Sequence, residues 1–196
     1  MRISLALATI AVSTFAFADD TFQVRHATNL NIGDSFVDFT NSGATVANGQ
    51  SSNLCANLYT FDPQEEMVSC CTCSVTPNAL QSLSVLKSLI SNTLTPAIPT
   101  SVVIKVMATN DTTCNAATAT SIAHGLLAWG TTLHRNTSTV APSYQVTETA
   151  FSFADLTDAE FTHITSTCGF ILANGSGYGI CKGCLGGALG SSTTNQ

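Results

Sequence analysis

The sequence predicts a mainly β fold, a disulfide-linked sandwich or partly closed barrel with one α-helix in the C-terminal half, over about residues 158–173. Three observations carry this. Short β-branched and aromatic runs recur along the chain, several alternating apolar with polar at period two. The intervening stretches are rich in Gly, Pro, Asn and Ser, the chemistry of turns and surface loops. All eight cysteines follow an export-type leader, so they read first as covalent staples of an oxidised domain.

The opening MRISLALATIAVSTFAFADD has the parts of a signal peptide: Arg2, an apolar run from Ile3 to Phe17, and a small-x-small site at Ala16-Phe17-Ala18. Residues 1–18 are read as the leader, and residues 19–196 as a single disulfide-stabilised β domain, secreted or periplasmic. A membrane anchor would need about 20 apolar residues, and Asp19-Asp20 come too early, so no transmembrane anchor is expected. Without Arg2, five basic residues face twelve acidic ones. Nucleic acid is therefore not an expected partner, since phosphate binding needs clustered Lys and Arg. Charged residues are only 9% of the chain, so hydroxyls and amides must wet the surface. A surface or matrix partner, or self-association, fits such a composition.

Taken in order, TFQVRHA, DSFVDFT, CANLYTF, EMVSCCT, SVVIKVMA, GLLAWGTTLH and SYQVTETAF are the expected strands. NSGATVANGQSSN, TLTPAIPT, NDTTCNAATATS and RNTSTVAPS are the expected loops. About seven strands with this punctuation favour a sandwich over alternating β-α-β units. PNALQSLSVLKSLISN, residues 77–92, is ambiguous. Thr76-Pro77 resembles a helix start and Leu80, Leu83, Leu86 and Ile90 nearly keep helical spacing, whereas Leu83 and Val85 alternate with serines. Extended structure is preferred. In LTDAEFTHITSTCGFILANG, Thr157 and Glu160 have capping-box spacing, with Leu156 and Phe161 placed as a hydrophobic staple. Phe161, Ile164, Cys168 and Ile171 form one apolar stripe, and Asn174-Gly175 would supply a left-handed end. A cysteine in the stripe predicts a tether from Cys168 to the sheet beneath.

SCCTCSVTP concentrates sulfur. On a strand, Cys71 and Cys73 face one way and Cys70 the other, so the three serve separate partners drawn from Cys55, Cys114, Cys168, Cys181 and Cys184. Adjacent cysteines rarely bond each other. All eight are expected in disulfides. Zinc would compete for CCTC and CKGC, but only CKGC has paired-knuckle spacing and export oxidises thiols, so no metal site and no cofactor is assigned. CKGC also has the form used by thiol oxidoreductases, although glycines on both sides argue against the helix N-terminus that activates such a thiol.

His26, His124, His134 and His163 are scattered outside any recruiting motif, and no G-x-S-x-G elbow is present. FDPQEE clusters Asp62, Glu65 and Glu66, better read as a solvated turn than as a calcium loop. GSGYG lacks the spacing of a phosphate-binding loop and reads as a tight turn. No catalytic residue is assigned, and Trp129 with three tyrosines makes only a modest case for glycan stacking.

The run CANLYTFDPQEEMVSCCTCSVTPNALQSLSV, together with GICKGC, resembles a pattern in uncharacterised exported bacterial proteins. They share a Tyr-x-Phe-Asp strand end, an acidic turn and Cys-Cys-x-Cys-x-x-Thr-Pro-Asn. The resemblance spans about half the chain. It implies a bacterial, exported protein of no assigned activity, and extended structure after Pro77. The function expected is an exported, non-enzymatic structural, surface or binding role with about four disulfides. The alternatives are a thiol oxidoreductase using Cys181 and Cys184, and a hydrolase that would show a pocket joining a histidine, a carboxylate and a hydroxyl.

Overall fold

The computed structural model describes residues 22–47, 50–136 and 143–183. The expected leader and Cys184 lie outside them. Eleven strands and one α-helix follow in order: β1 (Phe22–Ala27), β2 (Phe36–Asn41), β3 (Val46–Ala47), β4 (Gln50–Ser51), β5 (Leu54–Phe61), β6 (Met67–Val75), β7 (Leu80–Ser84), β8 (Val102–Thr109), β9 (Leu126–Asn136), β10 (Ser143–Ala150), β11 (Ser152–Ala154) and α1 (Asp158–Asn174). All seven expected strands are present. The two main sheets are antiparallel, in orders β11-β1-β8-β5-β6 and β10-β9-β2-β7, with β3-β4 a separate small ribbon. They do not close into a barrel, so the sandwich is the architecture found.

Period-two alternation builds the core. Leu54, Ala56 and Leu58 of β5 and Ile104 and Val106 of β8 meet Val37 and Phe39 of β2, Leu83 of β7 and Ala128 of β9 in one buried cluster between the sheets. The opposite face of the five-stranded sheet is also covered. Tyr59, Met107 and Cys70 pack there under Ile164, Cys168 and Ile171 of α1 in a second cluster. A strand buried on both faces loses clean alternation, which is why β5 is buried along its whole length.

The chain passes from one sheet to the other at both margins of the sandwich. Phe151, buried, turns the corner between β10 and β11. Between β6 and β7, Asn41 does the organising: its side-chain amide donates to the carbonyls of Ser52 and Val75, both at 2.9 Å. The segment after Pro77 is extended over Leu80–Ser84 and then turns into a π-helical loop, Val85–Leu89. The preference for extension through residue 92 is corrected there. Part of the cause is local, because Ser84 accepts from the Lys87 amide as N-cap, and part is remote, because the carboxylate of Asp34 accepts from the Leu86 amide at 2.9 Å.

The helix is set by its own sequence. Thr157 accepts from the Glu160 amide at 3.2 Å as N-cap, and Leu156 and Phe161 both pack against the second cluster. Instead of reaching back as a capping box would, the Glu160 carboxylate pairs with Lys105 of β8. The expected left-handed end is shifted. Gly175 is right-handed at φ −73°, and positive φ falls on Ser176 and Gly177. Glycine is needed at 175 for space, since a Cβ would lie 2.6 Å from the Ile171 carbonyl oxygen.

A candidate functional site between the sheets

Two groups of residues carry chemistry: the sulfurs around β6 and the polar end of the sandwich around β1. Cys70 joins Cys168 (Cα–Cα 5.9 Å), Cys71 joins Cys181 (5.5 Å), and Cys55 joins Cys114 (5.3 Å). Cys73 is disulfide-bonded as well. The alternation argument holds on this strand, because Cys70 lies in the helix-side cluster while Cys71 and Cys73 lie with the inter-sheet core. The sulfurs of SCCTC are thus clasps to different elements. Cys181, first cysteine of CKGC, is committed to Cys71. Its segment runs beside β6, with the Cys70 amide donating to Gly179 at 2.9 Å and the Cys181 amide to Cys70 at 3.3 Å. The Leu94 amide also donates to Val68 at 2.9 Å, so part of the outer edge of β6 is covered.

The other group was not legible as a site. On β1, Phe22 and Val24 would be expected to point inward, yet their register against Met107 and Lys105 puts them on the helix-side face. Gln23, Arg25 and Ala27 face the sandwich interior instead. Gln23 stitches the sheets together: its Nε2 donates to the Leu126 carbonyl at 2.8 Å and its Oε1 accepts from the Ala128 amide at 3.1 Å. One step along, the Arg25 guanidinium lies against Gly130 of β9, where a Cβ would meet Arg25 Cδ at 2.6 Å and Cζ at 2.8 Å. This is the reason for a glycine in the middle of that strand. Arg25 donates from Nη1 to the Thr149 carbonyl at 2.8 Å and to the Thr149 hydroxyl, and from Nη2 to Thr132 Oγ1 at 2.8 Å.

Beside Arg25 the margin of the sandwich, where β1 neighbours β9 and β10, is open. β11 pairs only with Phe22–Val24, and past it a cleft of about 560 Å³ opens. Arg25, His26, Thr132, His134, Thr147 and Thr149 give it its polar character. His134 Nε2 lies 2.8 Å from Thr147 Oγ1. Two of the four scattered histidines, His26 and His134, are therefore brought to one cleft from different sheets. His163 is exposed on α1, and the His124 carbonyl accepts from the Thr45 hydroxyl.

Arg25 is 9% exposed, and among the described residues no carboxylate lies within ion-pair distance of it. Burial pulls the guanidinium pKa down from its ordinary value, and the field of Glu148 raises it in opposition. Arginine remains charged at neutral pH regardless. Its Nε is buried without a hydrogen-bond partner. A buried charge normally has a direct counterion, and among the described residues Arg25 has only the more distant Glu148.

Elsewhere the polar clusters satisfy themselves. Asp62 accepts from the Gln64 and Glu66 amides at 2.9 Å, so FDPQEE is a self-capped turn. Among the described residues no three His, Cys, Asp or Glu side chains gather as a metal-ligating set, and no helix is long and apolar enough to cross a membrane. No protein-family pattern, curated protein or solved structure matches this chain.

Proposed function

We propose that the protein is an exported, disulfide-braced β-sandwich that acts as a binding or surface protein through the Arg25 cleft. The carrying observation is the buried guanidinium, without an ion-pair partner among the described residues, in the wall of a 560 Å³ cleft, a volume within the roughly 300–1,000 Å³ range of small-molecule sites. Three mapped bridges, closing separations of 59, 98 and 110 residues, support an oxidising compartment. Binding is favoured over hydrolysis because the cleft joins a histidine to a hydroxyl, whereas among the described residues no carboxylate lines it to orient the imidazole.

The test combines export and binding. Expressed from the full chain, the protein should be recovered outside the cytoplasm without free thiol. A soluble small-molecule library followed by amide NMR should return at least one compound that saturably shifts residues 24–28 and 147–152. Recovery only from the cytoplasm with reduced cysteines, or a library with no cleft-directed member, would overturn the reading.

A further inference from the structure

Resting on that reading of the cleft, we propose that its ligand is a hydroxyl-rich monocarboxylate, a sugar acid, with the carboxylate drawn to Arg25. Arginine has five N–H donors, and the cleft wall uses two on Nη1 and one on Nη2. Nε is buried against Gly130, so the charge and the second N–H of Nη2 are what remain for a guest. Glu148 already acts on this charge, so a guest with a single negative charge meets less repulsion there than one with two. A dianion such as phosphate would enter with charge left over beside that carboxylate, in a protein whose acidic residues outnumber its basic ones.

The rest of the lining selects for hydroxyls. Thr28 and Ser152 line the cleft, Thr132 and Thr149, which accept from Arg25, keep hydroxyl protons to donate, His26 adds ring nitrogens, and His134 and Thr147 offer the polar atoms their mutual contact leaves over. On the β11 side, pairing of β1 stops at Val24, leaving the backbone edge of Arg25–Ala27 unpaired by any described strand on that side. A simple carboxylate would use the charge and waste the hydroxyls, and a neutral sugar would do the reverse. Only a molecule carrying both satisfies the wall.

The experiment titrates the ¹⁵N-labelled oxidised protein with sodium D-glucuronate, D-glucose, sodium acetate and inorganic phosphate. Glucuronate is expected to shift the amides of residues 24–28 and 147–152 saturably, with a Kd at least about tenfold below the other three. Arg25→Gln should weaken glucuronate about tenfold or more and leave glucose unchanged. Should that variant fail to fold, Thr147→Val, on a strand exposed along its whole length, should still weaken glucuronate several-fold. Equal binding of glucose would overturn the requirement for a charge, and equal binding of acetate or phosphate would reveal an adventitious anion site only. Silence towards glucuronate overturns the proposal. If another library compound still shifts the cleft, the binding reading stands and only the ligand class is wrong.

Discussion

Arg25 and Gly130 make each other necessary. The guanidinium is pinned on one side by Thr149 and Thr132, and on the other it occupies the space a side chain at 130 would need. Gly130→Ala must displace the guanidinium towards the cleft and break its bonds to Thr149 and Thr132, so it should destabilise by about 1–3 kcal/mol, the usual scale of overpacking. The midpoint of urea unfolding measures this, with the Thr149 amide resonance reporting whether Arg25 has moved. An unchanged midpoint and unchanged Thr149 would mean the guanidinium is not held as described. This pairing was hidden in the sequence because its partners lie 107 and 124 residues from Arg25. FQVRHA alone reads as Phe and Val inward and Arg outward. In the reverse arrangement found here Phe22 is buried with Lys105 over its ring, while Val24 is only half-buried.

Elements with local causes were legible, and elements with distant causes were not. Helix α1 was foreseen from Thr157 to its apolar stripe, since cap and stripe are contained in its own residues. The π-helical turn after β7 was not, because beside its local Ser84 cap it relies on Asp34, 52 residues away from the Leu86 amide that it accepts from. The loop between β8 and β9 is a similar case, organised by one carboxylate. Asp111 accepts from the Thr120 hydroxyl at 2.7 Å and from the Thr120 and Ser121 amides at 3.2 and 3.1 Å. Burial alone would raise its pKa, but these bonds and one from Thr109 outweigh it and hold the carboxyl below the ordinary value. A depressed carboxyl pKa gives stabilisation that is present above the unfolded value, near 3.9, and is lost as pH falls through the lower folded value. Hydrogen exchange at Thr120 and Ser121, compared with the intrinsic rate between about pH 6 and about pH 2, should show protection disappearing at the acid end. Asp111→Asn should remove that acid step. Protection that persists unchanged at the acid end would show that backbone geometry, and not the carboxylate, holds the loop.

At the scale of the molecule, β6 is the member through which the layers are joined. Cys70 takes the helix and Cys71 takes the segment beyond it, while Cys55 on neighbouring β5 takes the loop that Asp111 organises. These bridges are not equally reachable. Cys70 and Cys168 are both fully buried, whereas Cys71 and Cys114 are half-buried partners of Cys181 and Cys55. A thiol reagent must meet the sulfur it attacks, so dilute dithiothreitol should open Cys55–Cys114 or Cys71–Cys181 while Cys70–Cys168 survives until the fold gives way. Differential alkylation with peptide mass spectrometry would order the three. Removing the last one by Cys70→Ala with Cys168→Ala should cost about 2–5 kcal/mol and release α1 to exchange ahead of the sheets. If Cys71–Cys181 instead opened far ahead of every other bridge, and the reduced protein then sped the refolding of a scrambled disulfide substrate, the CKGC segment would be a reaction centre. In that case the clasp around β6 would serve to present Cys181, and thiol exchange would replace binding as the function to pursue.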